Sequence, residues 1–254
     1  MPILNENSLT TVITALHETW SLKETVDRIV EQNPSYLHEI LIVIASHSSP
    51  ECRAVIASLK SRYGSLVREH QQTLPYVGGA IIDAIGLVKS KYTVMLAADL
   101  ETDPSLIPKM YNEILTRDLD VVSTSRWLNP NSFHGYSPIK LLLNNIFQRV
   151  FSSLYTTNLT DMTYGYRMYK TELLQKLEFC EHRHAFFFES LIKPLRLGAK
   201  IEEISAPWHA RQEGESVLRL SDYLKYFQTG FTVRFRPPQR CLKETPSIHD
   251  SSAD

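Results

Sequence analysis

The run MLAADLETDP, Met95 to Pro104, closes an apolar stretch with carboxylates at alternate positions: Asp99, Glu101 and Asp103. Residues i and i+2 of an extended chain share a face, so Asp99 and Glu101 can turn toward one cation. Carboxylate oxygens suit hard divalent ions such as Mg²⁺ or Mn²⁺, which usually complete their shell with phosphates brought by a ligand. Asp103 has a plainer job: ahead of Pro104-Ser105 it reads as a helix N-cap. Two arginines stand out further along. Arg126 follows an apolar segment, and Arg211 opens the polar, Gly-containing loop RQEGES. A guanidinium fork matches phosphate oxygens, and a Gly-containing loop suits a flap that orders over a ligand. Pairing of Arg126 with Asp118 or Asp120 at a strand end is the alternative.

Composition narrows the field. The chain has 254 residues, 43% hydrophobic and 22% charged, with a formal net charge of −1. That is ordinary globular composition for one large α/β domain or two small ones, without the basic excess that nucleic-acid wrapping needs. The three cysteines, Cys52, Cys180 and Cys241, form no CxxC pair. This argues against a disulfide framework or a structural zinc site and for a reducing compartment. The N-terminus lacks a signal-peptide pattern, and no apolar stretch approaches membrane-spanning length. The expectation is a cytoplasmic protein, at most peripheral on a membrane surface.

The elements that must position these residues alternate through the first half. Leu9–Ala15, Glu39–Ala45 and Tyr92–Ala98 read as buried strands, Leu119–Thr124 as another, and Ser65–Glu69 as a weaker one. Between them lie helix patterns: one from Ser21, with Glu24 completing a capping box, one from Pro50 to Leu59, one over Gly79–Val88, and one after Asp103. Alternation of this kind means βαβ units and a mainly parallel sheet flanked by helices. Ligands then bind outside the strands' carboxyl ends, where Ala15–Glu18, Ala45–Ser49, Asp99–Asp103 and Ser125-Arg126 fall. Later, Ile139–Leu154 and Phe186–Leu197 read as helices and Lys200–Ala206 as a strand. From 221 to 240, aromatics (Tyr223, Tyr226, Phe227, Phe231, Phe235) mix with Lys225, Arg234, Arg236 and Arg240. That mixture suits a membrane interface; aromatics finishing the core beside solvated bases is an equal reading. Residues 241–254 read as a disordered tail.

Six segments in order resemble family-two glycosyltransferases, the dolichyl-phosphate mannose synthase-like branch, over about Thr10 to Leu220. They are Leu16-His17-Glu18, Gly78-Gly79-Ala80 through Asp83, Ala97-Ala98-Asp99-Leu100-Glu101, Asp120-Val121-Val122 through Ser125-Arg126-Trp127, Asp161-Met162-Thr163-Tyr164-Gly165-Tyr166-Arg167, and Arg211-Gln212-Glu213-Gly214-Glu215-Ser216. The resemblance implies a GT-A catalytic domain over 1–220 that transfers a sugar, with inversion, from a nucleoside-diphosphate sugar to a polyprenyl phosphate. Asp99 and Glu101 would hold Mg²⁺ or Mn²⁺. Leu16, Glu18, Ser46, Gly79, Asp83, Ala98, Arg211 and Ser216 would line the donor, with Arg211 over its phosphates. Arg126, Lys140, Asp161, Thr163, Arg167 and Glu189 would face the acceptor, Glu189 anchoring Arg167 or a sugar hydroxyl. The implied catalytic set is Asp99, Arg126, Asp161 and Arg211.

Two departures keep rivals open. Ala97 stands where the branch carries an Asp, and the second strand ends in Ala45-Ser46-His47-Ser48-Ser49, without the usual base-reading acids. A catalytically degenerate nucleotide-sugar-binding domain therefore remains, as does transfer to a sugar hydroxyl of a glycan. Asp161 would act as general base in that second case; with an ionised phosphate acceptor it would hold the metal, the sugar or an arginine. A structural role for Asp161, bonding the amides of Thr163 and Tyr164, also stays open. A nucleotidyltransferase fits poorly, since ALHETWSL lacks a Gly-rich basic phosphate loop.

Overall fold

A computed structural model describes residues 7–32, 35–129, 132–133, 137–208, 213 and 220–244. Seven strands, β1 (Leu9–Ala15), β2 (Leu37–Ile44), β3 (Val67–Gln71), β4 (Tyr92–Ala97), β5 (Val121–Ser125), β6 (Arg167–Lys170) and β7 (Ile201–Ser205), form one sheet. Its order is β3-β2-β1-β4-β6-β5-β7. Every pairing is parallel except those of β6, which runs antiparallel to both β4 and β5. The helices are α1 (Trp20–Gln32), α2 (Pro50–Tyr63), α3 (Tyr76–Leu87), α4 (Ile107–Thr116), α5 (Pro138–Tyr155), α6 (Thr171–Lys176), α7 (Ala185–Arg196) and α8 (Leu220–Phe235).

The strand period of two sorts the core. Ile13, Ile42 and Val94 face α1, α2 and α4 through Leu22, Ile29, Ile56 and Met110. Their alternates Val12, Leu41 and Val43 pack on Ala80 and Ala84 of α3. A second cluster joins α5, α7 and α8 around Phe147, Phe151, Phe186 and Phe188. Gly230 permits the α5–α8 contact: a Cβ there would lie 2.1 Å from the Phe151 ring.

The mainly parallel, helix-flanked sheet matches the expectation, and Asp103 does cap the turn at Pro104, accepting from the Ser105 amide at 2.9 Å. Two expectations need correction. Ser21 is not the N-cap of a capping box: α1 starts at Trp20, Glu24 pairs with Arg28 at 2.7 Å, and the Ser21 hydroxyl donates to Glu213. Residues 220–235, expected only as an aromatic and basic segment, form α8. Cys241–Glu244 do not open a tail. Cys241 is buried and Leu242 bridges Leu177, while 245–254 lie outside the described residues.

Candidate active site

The carboxyl edge of the sheet gathers the predicted chemistry. β4 ends at Ala97; Ala98 and Asp99 follow, both buried, and Leu100 turns the chain with φ 56°. That left-handed residue folds the turn back so that the Glu101 amide donates to Asp99 Oδ1 at 3.1 Å. Two tyrosines of the segment entering β6 hold this turn. Tyr164 donates its hydroxyl to the Glu101 carbonyl at 3.3 Å, and Tyr166 to the Asp103 carbonyl at 3.1 Å. Asp99 and Glu101 offer hard oxygen donors at the end of a central strand, the chemistry a Mg²⁺ or Mn²⁺ ion takes. Two carboxylates are what such an ion uses when a diphosphate supplies further ligands. Among the described residues no group of three His, Cys, Asp or Glu side chains forms an all-protein metal cage.

Beside that turn lies a buried ion pair. Arg126, at the end of β5, makes a bidentate fork to Asp161, Nε to Oδ2 at 2.6 Å and Nη2 to Oδ1 at 2.9 Å. Its own amide also donates to Oδ2 at 3.2 Å. The guanidinium stacks over the Tyr164 ring, 4.6 Å from the centroid. Burial pushes the Tyr164 phenol well above its usual range; Arg126 opposes this, and Asp161, Glu101 and Asp99 add to it. Thr163 joins the pair, donating to Asp161 at 3.3 Å and accepting from Arg126 Nη2 at 3.3 Å.

Two members of this network were not singled out from sequence. Gln148 of α5 accepts from the Met162 amide at 2.8 Å and donates to Thr163 at 3.0 Å and Asp161 at 3.4 Å. Glu203 of β7 accepts from the amides of Thr160 at 2.7 Å and Asp161 at 2.9 Å. Burial raises the Glu203 carboxyl, outweighing the hydrogen bonds that lower it. Gln148 carried a readable signal, a polar residue on the inward face of an apolar helix; Glu203 carried none.

Among the residues expected to line a donor, the Glu18 carboxylate folds back onto its own turn, accepting from the Leu16 amide at 2.6 Å and the His17 amide at 3.1 Å. Ser46 is exposed at the end of β2, whereas Ser48 is buried, its Oγ accepting from Ala45 at 3.0 Å. Gly79 serves packing: a Cβ there would meet the Leu74 backbone at 2.8 Å. Asp83 accepts from the Thr73 hydroxyl at 2.9 Å and the Leu74 amide at 3.0 Å, so it braces the entry to α3. Lys140 is exposed on the first turn of α5. Arg211 and Ser216 lie outside the described residues.

Two acceptor-side expectations are corrected. Arg167 is fully buried, bonded to Ser123 at 3.0 Å, the Met162 carbonyl at 3.0 Å and the Phe187 carbonyl, so it braces the interior. Glu189 does not anchor it. Glu189 is buried against Lys193 at 2.7 Å and accepts from the Cys180 and Glu181 amides. A fully desolvated charge must be satisfied by protein groups, and both of these are.

Paired carboxylates and an arginine–aspartate cluster thus lie together at the carboxyl edge of this sheet. Residues 10–178 match the family described as Glycosyl transferase family 2, and the chain belongs to that family. It is 26% identical over 216 residues to an undecaprenyl-phosphate mannosyltransferase of Micrococcus luteus, covering 81% of this chain and 85% of that one. It is 21% identical over 234 residues to a dodecaprenyl-phosphate galacturonate synthase of Rhizobium johnstonii, covering 89% of this chain and 66% of that one. In structure it is similar to glucosyl-3-phosphoglycerate synthase of Mycobacterium tuberculosis in complex with Mn²⁺, UDP and phosphoglyceric acid. The TM-score is 0.68 at 16% identity, covering 91% of this chain and 80% of that one. The same enzyme with Mg²⁺ and UDP gives a TM-score of 0.67 at 17% identity, covering 94% and 81%.

Proposed function

We propose that this glycosyltransferase moves a sugar from a nucleoside-diphosphate donor to a polyprenyl phosphate, with inversion at the anomeric carbon. The observation that carries the choice of acceptor is the state of Asp161. Its carboxylate is fully buried and accepts from Arg126, Gln148 and Thr163. A general base for a hydroxyl needs a lone pair open to that hydroxyl, and this carboxylate has spent its capacity on protein donors. A phosphate acceptor is already ionised and needs no base. Arg126, held rigid by Asp161 and by the Tyr164 ring, is the cation that would meet it. The two curated relatives act on polyprenyl phosphates by name, which favours the same class.

Donor binding would use Asp99 and Glu101 to hold Mg²⁺ or Mn²⁺, whose chemistry is to neutralise charge growing on the diphosphate as it leaves. Leu16, Glu18, Ser46 and Ala98 border that edge, with Arg211 and Ser216 assigned to the donor by motif alone. Lys140 and Thr163 stay on the acceptor side. We assign residues 1–220 to the catalytic domain.

α5 and α8 fit an acceptor held in a lipid surface. Ile139, Leu142, Leu143, Ile146 and Val150 share the outer face of α5, and Leu142 is 61% exposed. Leu224, Phe227, Phe231 and Phe235 form a matching stripe on α8. The stripes meet where Phe227 and Phe231 rest against Phe151, with ring centroids 5.7 and 5.6 Å away. α5 contains no acidic residue, and the single one of α8, Asp222, is buried, so the exposed charges of both helices are basic. An apolar face rimmed by cations is what an anionic bilayer surface binds. Among the described residues no helix is long and apolar enough to cross a membrane.

The test is transfer from radiolabelled nucleotide sugars to undecaprenyl phosphate or to a soluble glycan, with and without Mn²⁺. Label in lipid only, lost in Arg126→Ala, supports the proposal; equal labelling of a free sugar hydroxyl would sink it. Ala97 in place of the motif's first Asp favours a second reading, a nucleotide-sugar-binding domain without turnover. Absence of product with every donor and metal would decide for that one.

A further inference from the structure

One carboxylate far along the chain is built into the donor edge. Glu213 Oε2 accepts from the amides of Thr19 at 3.0 Å and Ser21 at 3.1 Å and from the Ser21 hydroxyl at 2.7 Å. Its Oε1 accepts from the Thr19 hydroxyl at 2.6 Å. Four donated hydrogen bonds from residues 194 and 192 positions earlier make it the cap of α1, the place where a local Ser, Thr, Asp or Asn normally sits. A negative group there also meets the positive end of the helix dipole.

The capped residues directly follow the donor turn. Glu18 closes on Leu16 and His17, Ser49 N donates to the Leu16 carbonyl at 2.9 Å, and Ser48 donates to the Ala15 carbonyl at 3.2 Å. Residues 15–18 are thus fixed by their own acid and by the end of β2, and Thr19 and Ser21 are held by Glu213. Glu213 is also two positions from Arg211 in the sequence. It therefore belongs to the sequence motif assigned above to the donor phosphates.

We propose that Glu213 is a positioning residue for donor binding: by capping α1 it holds the Leu16–Glu18 turn in the shape that receives the nucleoside diphosphate. The idea rests on the donor assignment made above. It differs from a plain helix cap in what it predicts, because a plain cap contributes stability without setting donor affinity.

The experiment uses the full chain and first finds which of UDP, GDP, CDP and dTDP binds the wild type with Mn²⁺. Calorimetry then gives the Kd of that nucleotide for Glu213→Ala, Glu213→Gln, Ser21→Ala and the Glu213→Ala/Ser21→Ala pair. Loss of a carboxylate bonded four ways should weaken the nucleotide roughly tenfold and raise donor KM alike, with kcat at saturating donor nearly unchanged. The double variant should be no worse than Glu213→Ala, since both remove one interaction. If Glu213→Ala does not fold, Ser21→Ala and Glu213→Gln carry the same comparison. An unchanged Kd in these variants beside a lowered Tm makes Glu213 a cap only and overturns the proposal. A wild type that binds none of the four nucleotides overturns the donor assignment and this inference with it.

Discussion

Arg126 and Asp161 show how a site can be rigid and charged at once. Removing one partner of a buried ion pair leaves the other without compensation, a cost of about 3–5 kcal/mol. Asp161→Ala should therefore lower Tm and activity together, because the buried Arg126 loses its carboxylate fork. Arg126→Lys separates the two effects. It keeps the charge and loses the fork, so thermal unfolding should change little while transfer falls on the order of 10²-fold. Equal activity of Arg126→Lys and wild type would remove Arg126 from the acceptor side. At this scale the sequence was half legible. The placing of Asp99, Glu101 and Arg126 at the carboxyl edge could be read because each follows an apolar strand pattern, and Asp161 joins them there through Arg126. Arg167 ends an equally good motif and Glu189 matches a family acid, yet their partners are the Phe187 carbonyl and Lys193, contacts that the motifs do not encode.

Among the elements, the long apolar strands β2 and β4 were legible because they are buried on both faces and leave no polar alternation. β6 was not. Its four residues, Arg167 to Lys170, are too few for a period, and only the antiparallel partners on either side make it a strand. The capping box at Ser21 failed for a related reason, since a carboxylate from another part of the chain displaced the local hydroxyl. α5 carries the sharper prediction. Its outward residues Leu142 and Leu143 touch solvent, so replacing both with Gln should leave Tm within about 1 kcal/mol equivalent of wild type. Co-sedimentation with vesicles rich in anionic lipid should drop several-fold, and neutral vesicles should bind weakly throughout. Undiminished vesicle binding of the double Gln variant would remove α5 from the lipid-facing surface.

For the molecule as a whole, the donor half gives the first measurement. A nucleoside diphosphate at about a hundred times its Kd stabilises the native state by roughly 2.7 kcal/mol, a rise of several degrees in Tm for a chain of this size. The rise should need Mn²⁺ or Mg²⁺ and disappear in Asp99→Ala with the fold intact; a metal-independent rise would take Asp99 and Glu101 out of the ligand set. The direction of β6 has a consequence of another kind. Because it runs against its neighbours, with Arg167 opposite Met95 and Ser123, the loop that enters it, not the one that leaves it, reaches the carboxyl edge. On the proposed roles, the ends of β1, β2 and β4 serve the donor, and the reversed strand delivers a separate segment for the acceptor. Such a split lets a lineage exchange acceptors by rewriting the stretch between β5 and β6 while its donor machinery is inherited intact, and chimeras joined at those strands would inherit each preference from a different parent.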